Sequence, residues 1–266
     1  MWLSLDIGNS AAKGGLYRGN TLEHVFHIDF SAPPFQGPNA SAAWARAFRV
    51  ELDATPVERI GVASVVPNVM PAATRALRRI TGVEVECLRT TLRLPFELAY
   101  RTPETLGIDR LAAAAGAWDA HGAHESSPRS VIAIDAGTAV TLDVVTCDGV
   151  YIGGVIAPGP ALLQRALHNG TAQLPAVPLE WPGRLVGRST QEALQSGIMG
   201  GFVESTRGLL RRVGSTLGGA SFVVATGGWR QLLADHIEGI DHVNPHLVLD
   251  GVRVLMAMNP PDAARD

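Results

Sequence analysis

Two short strings constrain this chain more than anything else in it. They are "DIGNS", Asp6 to Ser10, and "DAGTAVT", Asp135 to Thr141. Each follows a short apolar run, and each leads into another apolar or β-branched run. Both therefore read as strand, Asp-x-Gly-polar turn, strand. Strand ends in ordinary cores do not need a carboxylate, a glycine and a neutral hydrogen-bonding side chain in succession. One copy is also compatible with a hairpin turn that merely has polar tips. Two copies a domain-length apart imply an internal duplication, in which facing halves make a cleft that both loops look into.

The rest of the pattern fits an α/β chain. Trp2 to Ile7 is a predicted strand, Gly14 to Tyr17 begins another, and Thr21 to Phe30 alternates as a third. A proline-rich loop, Ser31 to Ser41, precedes a predicted helix over Ala42 to Leu52 with Ser41 as its cap. Arg59 to Pro67 reads as a buried strand, and Met70 to Ile80 as a helix with arginines near its C-terminal end. "VEVECL" is a short strand, and Gly107 to Ala120 is an alanine-rich helix. The polar segment His121 to Ser130 breaks this pattern. The expected domains are therefore residues 1–120 and 121–266. In the second, strands are expected through "VIAIDAGTAVTLDVV" and over Gly149 to Gly159. A long helical region follows from about Thr190 to Arg212, then a strand over Ala220 to Trp229 and a closing helix over Leu247 to Asn259.

Composition excludes several functions. With 266 residues, 46% of them hydrophobic, the chain has ample core. A formal net charge of −3 and no basic face argue against nucleic acid as a partner. No uncharged apolar run reaches the roughly 20 residues of a membrane helix, and Asp6 interrupts any leader-like start. Cys87 and Cys147 lack CxxC spacing and read as reduced thiols, so a soluble cytoplasmic protein is expected. His121 and His124 fall in the polar linker and are expected to be solvated. His242 and His246 flank Pro245 and share no helical face, so neither pair predicts a metal site. "RGLLRR", Arg207 to Arg212, reads as a solvated helix face.

The chemistry of the two loops is that of phosphate binding. Glycine lets the backbone approach a ligand, and successive N–H groups in a tight turn form a nest for anionic oxygen. Asn9, Ser10 and Thr138 add neutral donors, and Lys13 adds a point charge suited to phosphate. Asp6 and Asp135 repel phosphate directly, but make sense with a cation between, usually Mg²⁺ with its waters retained. A nucleoside triphosphate with metal is implied. The GxxxxGK[ST] and GxGxxG loops are absent, which disfavours P-loop kinases and Rossmann dehydrogenases. "ATGGW", Ala225 to Trp229, suits close approach to the adenosine part of a nucleotide, or a plain strand-to-helix connection.

Together these residues resemble the acetate kinase, sugar kinase, Hsp70 and actin superfamily, and within it most closely the type III pantothenate kinases. The resemblance rests on "DIGNS", "SVVP" (Ser64 to Pro67), "YRTPETLGIDR" (Tyr100 to Arg110), "DAGTAVT", "GGVIAPG" (Gly153 to Gly159) and "NPHLVLDGV" (Asn244 to Val252). DxGN and DxGT mark only the superfamily; the Tyr100 to Arg110 stretch narrows it. No motif covers Asp29 to Ala54. The resemblance implies two ribonuclease-H-like, actin-like ATPase domains with a nucleotide cleft between them. It implies ATP-dependent phosphorylation of pantothenate to 4′-phosphopantothenate, towards coenzyme A. A homodimer, Mg²⁺ or another divalent cation with the ATP, and K⁺ or NH₄⁺ are implied as well.

Carried over by residue, Asp6, Ile7, Gly8, Asn9, Ser10, Ala11, Ala12 and Lys13 become the first phosphate loop, with Asp6 organising the divalent metal through water. Gly137 and Thr138 belong to the second loop, and Asp135 would hold the monovalent cation. Tyr100, Gly107, Ile108, Asp109, Arg110 and Thr190 would contact pantothenate, with Asp109 as catalytic base. Read without the resemblance, Asp109 is an acid favoured by a helix N-terminus and Arg110 a salt-bridge partner. Tyr100 is then an aromatic core residue. Two alternatives remain open at this point: another small-molecule kinase of the superfamily, and a catalytically silent ligand-binding regulator on the same fold.

Overall fold

The computed structural model describes residues 1–9, 11–30, 34–35, 37, 39–123 and 127–261. They divide into two units, one of Met1–Asp119 with His246–Asp266 and one of Ala120–Pro245.

The first unit holds β1 (Trp2–Ile7), β2 (Ala11–Arg18), β3 (Thr21–Asp29), α1 (Ala40–Leu52), β4 (Arg59–Ser64), α2 (Met70–Thr81) and β5 (Val85–Cys87). A two-residue strand β6 (Glu97–Leu98) and helix α3 (Ile108–Ala117) follow, and α8 (Leu247–Met258) returns to this unit from the far end of the chain. The sheet runs β3-β2-β1-β4-β5. β1 to β3 are antiparallel, while β1, β4 and β5 are parallel. Alternation in β1 sends Leu3, Leu5 and Ile7, all at 0% exposure, into a core with Trp44 and Phe48 of α1 and Leu77 of α2. Ser4 and Asp6 are left on the opposite face. In α1, Trp44 stacks on Phe48 with ring centroids 5.3 Å apart. That helix begins one residue before the expected cap: Ser41 lies inside it, and Asn39 at its N-cap makes no side-chain cap bond. Helix α2 ends as its sequence suggests, with Arg78 and Arg79 in the last turn and Gly82 at a φ of 71° closing onto the Arg78 carbonyl at 2.9 Å.

The face of the first sheet that carries Ser4 is covered by α8, which is buried from Leu247 to Met256 except at half-buried Asp250 and Arg253. α3 packs on α8 backbone to backbone. A Cβ at Gly116 would stand 2.6 Å from the Leu247 carbonyl oxygen, and one at Gly251 would strike the Ala112 carbonyl. Arg59, 7% exposed, fixes the C-terminal end of α8. It donates to Glu86 through Nε and Nη2, at 2.6 and 2.7 Å, and to the Met256 carbonyl through Nη1 at 2.6 Å. A buried guanidinium is tolerated because its donors find acceptors, two of them on one carboxylate.

The second unit holds β7 (Ser130–Ala136), β8 (Ala139–Val145), β9 (Val150–Pro158), α4 (Pro160–Gly170), α5 (Thr190–Gln195), α6 (Gly201–Ser215), β10 (Ser221–Thr226), α7 (Arg230–His236) and β11 (His242–Val243). Its strands run β9-β8-β7-β10-β11, with three antiparallel strands leading into a parallel set. That is the topology of the first unit over again, so the duplication read from two short strings extends to the whole sheet.

Several expectations are corrected. The first division falls at 119/120, and α8 belongs to the first unit rather than to a C-terminal domain 121–266. The helical region expected from about Thr190 to Arg212 is present and runs through α5, a π-helical turn, Ser196–Gly200, in a glycine-rich stretch, and α6. α4 is not among the expected elements, while α7 follows the strand-to-helix connection that "ATGGW" allows. His121 is not a solvated linker residue: its ring lies 4.3 Å from Phe222 and 5.3 Å from His242. His124 lies outside the described residues. Arg207 is not simply solvated either, since it bonds Glu204 and donates to the His236 carbonyl. Among the described residues no helix is long and apolar enough to cross a membrane.

Candidate active site

In the first unit the candidate residues gather where β1 and β4 end. These strands are parallel and in register, Ile7 beside Ser64, so the turns that follow them are neighbours. Ser64 Oγ donates to the Ile7 carbonyl at 3.2 Å and accepts from the Val66 N–H at 3.1 Å, which ties the "SVVP" turn to the end of β1. The Gly8 N–H closes the other turn onto the Ala11 carbonyl at 3.0 Å. Asn9 at its tip is exposed, and Ser10 lies outside the described residues.

Asp6 and Lys13 are both half-buried and directly opposed across β1 and β2. Opposite charges at such a pair attract, and their side chains share a face. Exposed His27, opposed to Lys13 on β3, continues the row; motif reasoning missed it because only register places it there. Ile7 and Ala12 are 0% exposed and point into the core, so only their backbone can serve a ligand, while Ala11 is half-buried.

Asp109 sits in the first turn of α3, after Gly107 as N-cap. Its Oδ1 accepts from the Arg110 N–H at 2.8 Å, as an acid at a helix N-terminus does. A Cβ at Gly107 would press on Asp109 Oδ1, turning that carboxylate aside, and would lie 3.7 Å from Val65 Cγ1. The Val65 contact places this turn of α3 against the turn after β4, at the same end of the sheet as the phosphate-loop candidate. Tyr100 is half-buried upstream of a 3₁₀ turn, Pro103–Thr105. Ile108 and Arg110 are buried, and Arg110 is 9% exposed, less open than a solvent-facing donor fork.

The second unit repeats the turn. The Gly137 N–H closes onto the Ala139 carbonyl at 2.9 Å, leaving Thr138 exposed at the tip. The glycine that ends "GGVIAPG" has a steric reason. The Gly159 N–H donates to the Thr138 carbonyl at 3.0 Å, and a Cβ on Gly159 would stand 2.6 Å from that oxygen. Half-buried Asp135, next to last in β7, has Thr141 opposed on β8 and Thr226 opposed on β10. Gly227, at a φ of 87°, approaches Asp135 closely: a Cβ there would press on Asp135 Oδ1 and stand 2.5 Å from the Ala136 carbonyl oxygen. Both donors there are oxygen, the chemistry an alkali cation takes. Thr226 and Gly227 belong to "ATGGW", but their place beside Asp135 escapes motif reasoning because parallel pairing joins positions far apart in sequence. Thr190 is exposed at the start of α5, where Ser189 Oγ accepts from the Glu192 N–H at 3.2 Å.

Comparison with known proteins decides the family. The chain matches the family model of type III pantothenate kinase over residues 2–212. It belongs to the type III pantothenate kinase family. A type III pantothenate kinase of Chlorobaculum parvum is 36% identical over 262 residues, covering 97% of this chain and 94% of the relative. Type III pantothenate kinase 1 of Symbiobacterium thermophilum is 34% identical over 279 residues, covering 100% of each. Among solved structures, a conserved Baf family transcriptional activator from Campylobacter jejuni superposes with a TM-score of 0.58 at 21% identity, covering 97% of this chain and 98% of that one. An activator of 2-hydroxyisocaproyl-CoA dehydratase from Clostridium difficile, with bound ADPNP, gives 0.50 at 12% identity, covering 96% and 93%. These two similarities speak to the fold, that of the actin-like ATPases. The family assignment makes the chain a kinase.

Proposed function

We propose that this kinase transfers the γ-phosphoryl group of ATP to the primary alcohol of pantothenate, giving 4′-phosphopantothenate and ADP, with Asp109 as general base. Membership of the pantothenate kinase family carries the reaction. The placement of Asp109, in a helix turn held against the turn after β4, supports the base. As the alcohol oxygen bonds to the γ-phosphorus, the Asp109 carboxylate takes its proton, and the bond to the bridging β–γ oxygen breaks with its electron pair leaving on ADP. Little covalent help is needed; in-line placement and charge neutralisation dominate. The two loops, Gly8 to Lys13 and Gly137 to Thr138, receive the phosphate oxygens. Lys13 supplies a fixed positive charge opposite Asp6.

Asp6 suits a divalent cation held through water, since it offers a single hard carboxylate beside the phosphate-loop turn. Such a cation neutralises phosphate charge. Asp135 and the Ala136 carbonyl offer the oxygen donors that suit a monovalent cation, K⁺ or NH₄⁺. Tyr100, Gly107, Ile108, Arg110 and Thr190 serve pantothenate recognition, with the Arg110 guanidinium meeting its carboxylate. The chain works as a homodimer. The test of the base is Asp109→Asn, which keeps shape and removes the proton acceptor. Turnover falls by about 10²–10⁴-fold while the fold and ATP binding persist. Turnover near that of the parent rejects Asp109 as base.

A further inference from the structure

The row that crosses the second sheet at Asp135 is made of oxygen donors. Thr141 on β8 and Thr226 on β10 are its direct register partners, so all three side chains leave the same face of the sheet. In the first unit the equivalent row reads Lys13, Asp6, Ala63. The duplicated halves therefore place an ammonium beside one aspartate and a hydroxyl beside the other. Thr141 Oγ1 is itself unusual. It is shut off from solvent and has no hydrogen-bond partner among the described residues. Buried hydroxyls are nearly always bonded, so an orphaned one beside a carboxylate marks a place where something else supplies the partner. A neutral hydroxyl oxygen is a hard donor of the kind that binds alkali cations alongside carboxylate and carbonyl oxygen.

We propose that Thr141 Oγ1 is a ligand, together with the Asp135 carboxylate, of the monovalent cation in this site. The inference rests on the cation reading of Asp135 and adds to it a residue that shapes the site's affinity. In the first unit Lys13 supplies the positive charge within the chain. In the second, the hydroxyl of Thr141 leaves that place to an external cation.

Potassium itself is the probe. The full-length chain is melted across a KCl series, with choline chloride holding ionic strength constant, and the potassium needed for half-maximal turnover is measured in parallel. The parent and Thr141→Ser gain thermal stability with potassium at similar concentrations. Thr141→Val, which keeps the shape and removes the oxygen, needs about tenfold more potassium in both measurements, the loss expected for one bond to a charged group. Asp135→Asn loses the potassium response. Thr141→Ala provides a second deletion of the hydroxyl should the valine variant fail to fold. If the parent responds to potassium and Asp135→Asn does not, yet both Thr141 deletions match the parent, Thr141 is not a ligand and the cation reading stands. If the parent itself shows no potassium-specific response, the cation reading falls, and this inference falls with it.

Discussion

The contact between α3 and α8 ties the fold to the chemistry, and Gly251→Ala perturbs it far from any proposed ligand. The new methyl would strike the Ala112 carbonyl and stand 2.9 Å from Ala112 Cα, and these are backbone atoms that no rotamer change can move aside. The helices must separate. Overpacking of this kind costs about 1–3 kcal/mol. At about 2–4 °C per kcal/mol, the melting temperature falls by about 2–12 °C. Because Asp109 rides on the first turn of α3, a displacement of that helix also misplaces the base, and errors near 1 Å cost up to about 10²-fold in rate. Thermal melts and ATP turnover on pantothenate are read together, with Gly208→Ala in α6 as control. Nothing lies within 4 Å of a Cβ at Gly208. That control holds its activity and gains up to about 1 kcal/mol of helix propensity. A Gly251→Ala variant that melts with the parent and keeps its turnover would refute the argument that this glycine contact positions Asp109.

Two further outcomes follow from residues outside that contact. Lys13→Ala, which removes the positive charge opposite Asp6, raises the KM for ATP and lowers turnover by about tenfold or more, with the pantothenate KM much less affected; a change confined to pantothenate rejects Lys13 as a phosphate contact. Tyr17, whose hydroxyl donates to Asp250 Oδ1 at 2.7 Å, has its pKa pushed far up, first by burial and then by the Asp250 charge. Above the unfolded tyrosine pKa of about 10 the unfolded chain loses a proton that the folded chain keeps, so stability falls by up to about 1.4 kcal/mol per pH unit. The contribution is complete below that pH, and Tyr17→Phe flattens the alkaline slope in denaturant titrations; an unchanged slope contradicts it.

The elements read correctly from sequence were those with local signals. β1 and β7 end at Asp-x-Gly, and α2 carries its arginines and Gly82 where a helix ends. α4 was hidden because "APGP" looked like a turn alone, although Pro160 opens a helix at a position where its missing N–H costs nothing. The membership of α8 was not legible at all. No local pattern says which sheet a terminal helix returns to, and only the tight places at Gly61, Gly116 and Gly251 hint at the close packing that holds it. The candidate site divides the same way. Asp6, Asp109 and Asp135 were found by motif. The row Thr141, Asp135, Thr226 was not: Thr141 lies in "DAGTAVT" but faces Asp135 only through hairpin register, and Thr226 comes from a strand about 90 residues on, a pairing a linear reading does not contain.

The central claim is phosphoryl transfer to pantothenate. It is tested most directly by incubating the purified chain with ATP, Mg²⁺, K⁺ and pantothenate and following 4′-phosphopantothenate by mass spectrometry. The account predicts one ADP for each phosphopantothenate formed, with ATP hydrolysis negligible when pantothenate is left out. ATP turnover that is indifferent to pantothenate, or no phosphopantothenate from a folded chain, would contradict it.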